Sequence, residues 1–233
     1  MNSAKSFAPA NVSCIFGIEQ DNNPRKAGSV GVGFCLNEGV VVRAVKDKKT
    51  SIKFNKKFID FPTVSTVAES LTNKAAMIEI DSNLPLSCGF GLSGASALAT
   101  AYSLDKLFNL KKSKLDLAIA AHTAEVINGT GLGDVVNQYY GGFCVKLETS
   151  ANFAVKKLPI ATRVYCRHFS PIETKSVIQN WGIKDKINAA AGKALGKIKI
   201  LIGNKKTASD FQSIIRISNQ FAVESGLLQD SHV

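Results

Sequence analysis

Residues Leu84–Ala101, LPLSCGFGLSGASALATA, constrain this chain more than any other stretch. Pro85 favours an extended approach, and Gly89, Gly91 and Gly94 follow with small residues between them. The run then passes without a break into an apolar helical pattern. Glycine permits backbone conformations that other residues avoid and lets the chain approach a ligand closely. A helix that starts directly after such a loop aims unpaired N–H groups and a partial positive charge at whatever occupies that place. A phosphate group suits it well. A tight turn before a buried helix is the other reading. The coincidence of three glycines, Ser87, Ser93 and a helix onset favours phosphate. No Lys-Ser or Lys-Thr follows the glycines, so the loop is not of the Walker A kind, and it is not a Rossmann turn.

The rest of the composition is compatible with a soluble fold. At 233 residues, 45% hydrophobic and 20% charged, the chain can bury a substantial core in one large or two small domains. No apolar run approaches the ~20 residues of a membrane span. The opening MNSAKSFAPANVSCIF lacks the apolar segment of a secretory signal, so a cytoplasmic location is expected. Cys14, Cys35, Cys88, Cys144 and Cys166 form no C-x-x-C pair, and no histidine stands at metal-ligand spacing from them. All but Cys88 read as small core residues in a reducing compartment. The formal charge of +11 suits anionic partners, but its lysines and arginines are scattered in small groups. Without a basic stripe and interleaved aromatics, nucleic acid is not an expected partner.

Along the chain, 5–16 reads as a strand, and Asp21–Pro24 as a turn. Gly28–Leu36 and Val40–Val45, joined by Asn37-Glu38-Gly39, read as a hairpin. Strands are predicted over 52–61, ended by Pro62, and over 76–80, with a short helix over 66–72 between them. The helix after the glycine loop is predicted over 93–108, with Ala97, Ala101, Leu104 and Phe108 on one face and Asn109 as its stop. Ser113 and Asp116 form a capping-box pattern that opens a helix to about 127. Leu115, Ile119, His122 and Val126 make its stripe, and His122 reads as a core-edge histidine. A glycine-bearing loop, Gly129–Asp134, leads through Gly141-Gly142 to a strand over 143–147. Further on, a strand is predicted over 162–169 and helices over 171–181, 185–202 and 209–225.

The motif PLSCGFGLSGASA resembles the second motif of the GHMP kinases (galactokinase, homoserine, mevalonate and phosphomevalonate kinases), written P-x-x-x-G-L-G-S-S-A-A. Its GFG-x-SG-A variant, together with AAHTAE (Ala120–Glu125) and GTGLGD (Gly129–Asp134), is most similar to the archaeal pantoate kinase branch of that family. Pro171-Ile172-x-Thr174-Lys175 is similar too, less specifically. The resemblance implies an α+β fold, with an ATP-binding N-terminal mixed-sheet domain over 1–150 and a ferredoxin-like C-terminal domain over 151–233. It implies ATP and Mg²⁺ as cofactors and pantoate as the acceptor, phosphorylated to 4-phosphopantoate on the way to coenzyme A. Its partners would then be a nucleotide and a small molecule, not a membrane, and a homodimer is allowed.

Residue by residue, the resemblance gives the ATP phosphates to Pro85, Ser87, Gly89, Gly91, Leu92, Ser93, Gly94 and Ala95. Ser93 and Glu125 become the Mg²⁺ ligands and Asp134 the base that takes the acceptor's proton. Each has a plain alternative: Ser93 as a helix N-cap, Glu125 as a solvated helix carboxylate, Asp134 as a turn residue. Asn11, Ser13 and Gly131 would line the acceptor pocket. A carboxylate on the acceptor asks for a cation, and Arg25, Arg163 or Arg167 could supply it. Two departures are plain. PANVSCIFG (Pro9–Gly17) replaces the family's P-G-x-(V/I) motif, and the glycine-rich third motif is not found before Val233. The C-terminal domain is therefore expected to be incomplete. Another GHMP kinase, of homoserine or shikimate, and an inactive nucleotide-binding protein are the competing readings.

Overall fold

Two long strands carry the architecture. The computed structural model describes residues 2–166, 180–203 and 210–228. Strand β1 (Ser3–Glu19) runs antiparallel to β2 (Gly28–Lys46) along nearly its whole length. On the other edge of β2, its second half pairs with β5 (Ala76–Asp81) and its first half with β6 (Phe143–Lys146). Strand β3 (Ser51–Phe54) lies parallel to β5, and β4 (Lys57–Phe58) and β7 (Lys156–Leu158) extend the two ends. The result is a mixed sheet of seven strands.

The expected hairpin at Asn37-Glu38-Gly39 is absent, and β2 passes straight through it. Gly39 serves a different need. It stands opposite Pro9, next to a register shift in β1, where a Cβ would lie 2.2 Å from the Ala8 carbonyl oxygen. The glycine admits a close strand approach, not a reversal. Likewise the predicted strand over 52–61 is β3, a turn at Asn55-Lys56 and β4, and Pro62 opens helix α1 (Pro62–Leu71) rather than merely ending a strand.

Helix α2 (Leu92–Phe108) follows the glycine loop as predicted and stops at Asn109, which takes a left-handed conformation. Helix α3 (Lys114–Asn128) has the full Ser113/Asp116 capping box, with Gly129 as its left-handed end. Its buried stripe is Leu117, Ala118, Ala121, His122, Ala124 and Glu125, rotated from the predicted one, and Leu115 is exposed. His122 is a core histidine. Its Nε2 is 3.1 Å from the Ala27 carbonyl, its ring stands edge-on to Phe153, and burial pulls its pKa down to about 4. A short helix not legible beforehand, α4 (Asp134–Tyr140), comes next. Helices α5 (Trp181–Gly203) and α6 (Phe211–Glu224) complete the described chain.

Two apolar cores flank this frame. One joins α1, α2 and α3 to the first half of β1, the second half of β2 and β5. The other joins α5 and α6 to the second half of β1, the first half of β2 and β6. Residues 162–166 are irregular rather than strand, and the rest of that segment and residues 171–179 of the helix predicted over 171–181 lie outside the described residues. Cys166 is exposed, so it is not the core residue expected.

Candidate functional site

The glycine loop delivers the start of α2 with no side chain capping it. Ser87, Gly89 and Gly91 all have positive φ, at 61°, 79° and 58°. Gly91 is the N-cap of α2, no side chain caps that end, and its first turn holds no acidic residue. The leading N–H groups of a 17-residue helix therefore face outward with the dipole behind them. The loop is pinned from outside: the Asn11 N–H donates to the Phe90 carbonyl (2.9 Å), and Gln138 Nε2 donates to the Gly91 carbonyl (2.7 Å). Ser93 lies within the first turn and is not the cap. Its Oγ donates to Thr63 Oγ1 (3.2 Å), which shares a hydrogen bond with Thr130 Oγ1 (2.9 Å).

Glu125 is fully buried, which removes the solvated-carboxylate alternative. It reaches the loop through two glycines. A Cβ on Gly94 would lie 2.7 Å from Glu125 Oε2, and one on Gly131 2.6 Å from Oε1. Neither oxygen meets a hydrogen-bond partner of good geometry among the described residues. Burial drives the carboxyl's pKa well above the ordinary range, and the neighbouring Asp134 charge adds to this. The Val135 N–H and the Lys146 ammonium oppose it more weakly.

Asp134 is the first residue of α4, and the strand β1 holds it. Asn11 Nδ2 donates to Asp134 Oδ1 at 2.6 Å and Ser13 Oγ donates to the same oxygen at 3.4 Å. Register shifts flank these two residues, between Pro9 and Asn11 and between Ser13 and Ile15. Such bulges re-aim side chains. Asn137 Nδ2 in turn donates to Asn11 Oδ1 (3.0 Å). The glycine loop is directly adjacent, since a Cβ on Gly91 would lie 3.1 Å from Asp134 Cγ. So Asn11, Ser13, Gly91, Ser93, Gly94, Glu125, Gly131 and Asp134 meet in one place.

The arginines do not join them. Arg25 is exposed in the β1–β2 connection and lines a cleft of about 300 Å³ between α1 and α3, with Thr66, Asp116 and Thr123. Arg163 is exposed in the irregular segment after β7, and Arg167 lies outside the described residues. The cation beside the two carboxylates is Lys146, from β6. It is buried, its Nζ donates to the Gly133 carbonyl (2.8 Å), and it interacts electrostatically with both Asp134 and Glu125. Burial lowers its pKa, and those carboxylates counter the effect. Thr63, Asn137, Gln138 and Lys146 were not anticipated. Asn137 and Gln138 stand three and four residues after Asp134, a spacing that shares a helix face, but it becomes a cue only once α4 is known to be a helix.

The sequence profile described as the GHMP kinases N terminal domain matches residues 58–142. A pantoate kinase of Methanocaldococcus jannaschii is 32% identical over 230 residues, which cover 96% of this chain and 81% of that protein. The chain belongs to the GHMP kinase family. A pantoate kinase of Methanospirillum hungatei is 27% identical over 233 residues, covering 96% of this chain and 76% of its own length. Among solved structures, a phosphotransferase related to the CoA biosynthesis pathway superposes with a TM-score of 0.77 at 25% identity, covering 98% of this chain and 78% of that one. This GHMP kinase is thus an ATP-dependent enzyme acting on a small molecule. Among its described residues, no helix is long and apolar enough to cross a membrane.

Proposed function

We propose that this GHMP kinase moves the γ-phosphoryl group of ATP to the primary hydroxyl of pantoate, forming 4-phosphopantoate for coenzyme A synthesis. One observation carries the reading: the Asp134 carboxyl sits against Gly91 of the anion-binding loop, so a base and a phosphate site share a boundary. The acceptor follows from the pantoate kinases to which the chain is similar over nearly its whole length.

In phosphoryl transfer the protein works mainly by positioning and charge stabilisation. The N–H groups at the start of α2 receive the phosphates. The Ser93 hydroxyl and the Glu125 carboxylate, whose oxygens meet no donor of good geometry among the described residues, fit a magnesium ion, which takes few protein oxygens when phosphate oxygens and water supply the rest. When bound, it would neutralise charge developing on the transferred group.

Both hydrogen bonds to Asp134 fall on Oδ1, which leaves Oδ2 for the acceptor's hydroxyl. As the hydroxyl oxygen bonds to phosphorus, its proton passes to Asp134 and the bond to the departing ADP oxygen breaks. Lys146, beside that carboxylate, is the cation that would meet the acid group of pantoate. The test is the purified protein with ATP, Mg²⁺ and pantoate, homoserine, shikimate or mevalonate, followed by phosphorus NMR. Phosphopantoate should dominate. Transfer to homoserine or mevalonate with pantoate inert would overturn the acceptor while leaving the kinase.

A further inference from the structure

Gln138 is buried, one helical turn beyond Asp134, and its amide orientation is fixed by its neighbours. The Gly91 carbonyl can only accept, so the nitrogen must face it, at 2.7 Å. That turns Oε1 toward α2, where a Cβ on Gly94 would lie 2.9 Å away. The same Cβ would lie 2.7 Å from Glu125 Oε2. Two oxygens from different helices therefore converge above one glycine, and neither buried acceptor meets a donor of good geometry among the described residues. Gln138 and Glu125 are both more than nine-tenths buried. Leaving such acceptors empty is costly, so a species carrying two hydrogens is called for between them.

Resting on the kinase reading, we propose that Gln138 is a further member of the metal site, its Oε1 accepting a hydrogen bond from a water that Glu125 also holds. A water in the shell of a divalent cation suits this place because the cation makes it a stronger donor. A metal directly between the oxygens is less suited, since an amide oxygen adds no charge. Gln138 thus links the Gly91 carbonyl, at the N-cap of α2, to the shell of the ion below it. Its role is positional, exercised through water, as partners outside a metal's direct ligands commonly act.

The experiment measures Mn²⁺ binding by electron paramagnetic resonance in the presence of AMP-PNP, and AMP-PNP binding alone in EDTA. Gln138→Leu should weaken Mn²⁺ about 10-fold or more. Gln138→Met, close to it in volume, should repeat that loss and guards against a folding defect. Gln138→Glu keeps an acceptor oxygen but loses the donor to Gly91, and should hold Mn²⁺ at least as well as the wild type. If Gln138→Glu is as weak as Gln138→Leu, the amide acts only through the loop and the proposal fails. It fails too if every variant binds Mn²⁺ like the wild type. A wild type that binds no Mn²⁺ with AMP-PNP would instead overturn the kinase reading beneath it.

Discussion

Replacing Glu125 by Gln should make the metal-free protein more stable and the enzyme inactive. The wild-type carboxylate is fully buried, and neither oxygen has a good donor. An unsatisfied buried polar group costs about 1–3 kcal/mol, more when charged. The amide has nearly the same shape, so it fits between Gly94 and Gly131, and its new N–H₂ faces the empty Gln138 Oε1. Recovering that cost in a chain of this size corresponds to a rise of about 2–12 °C in melting temperature.

The sign with pH follows from the raised carboxyl. The ordinary value is 4.5, and the folded protein holds the proton to a well higher pH. Between those two values the unfolded chain has lost a proton that the native state keeps. Native stability contributed by this group is therefore complete below 4.5 and is lost as pH rises through the folded value. Gln does not titrate, so the melting gap between variant and wild type should widen from pH 5 to pH 8 in EDTA. Scanning calorimetry at three pH values reads this directly. Adding Mg²⁺ and AMP-PNP should reverse the order, because only the wild type gains the full binding contribution. A variant that melts below the wild type in EDTA, or a gap that ignores pH, would refute the argument that burial penalises the charged form of Glu125.

Two further outcomes are expected. Asp134→Asn should lower kcat about 10²–10⁴-fold while the KM for ATP barely moves, since the lost function is proton removal and not nucleotide contact; unchanged kcat in steady-state assays would remove Asp134 from the chemistry. Lys146→Met should raise the KM for pantoate at least about 10-fold, the scale of one lost charged hydrogen bond, and the KM for ATP far less; equal effects on both would place Lys146 in the nucleotide site.

Much of the site was legible because its requirements are local. Positive φ at Gly89 and Gly91 and the capping box at Ser113 belong to short segments, and the residue types announce them. Family order then placed Glu125 and Asp134 near the loop. What stayed hidden depends on chain remote in sequence. Gly39 looked like a turn, because nothing near it says that Pro9 will lie across the ladder. Lys146 was one of 29 basic residues, and only its packing against Gly133 and Ser29 sets it apart from a solvated lysine. Helix α4 has seven residues between glycines, too short for a periodicity to show, yet it carries Asp134, Asn137 and Gln138.

Four glycines of the site share one reason that a turn-based reading misses. At Gly91, Gly94, Gly131 and Gly133 an added Cβ would meet Asp134, Glu125 or Lys146 within 2.4–3.1 Å, and at 133 Ser29 is closer still. The side chains are missing so that Asp134 and Glu125 can press against the start of α2, and Glu125 and Lys146 against the loop before α4. That arrangement places one fully buried acid, Glu125, close to the positive end of a helix, where Lys146 only weakly opposes its desolvation. A nucleotide carrying a cation brings both the anion the helix end favours and the positive charge the acids lack. On the proposed reading this close packing would favour the two together, since the cation would answer the carboxylates that a phosphate alone would approach as an anion.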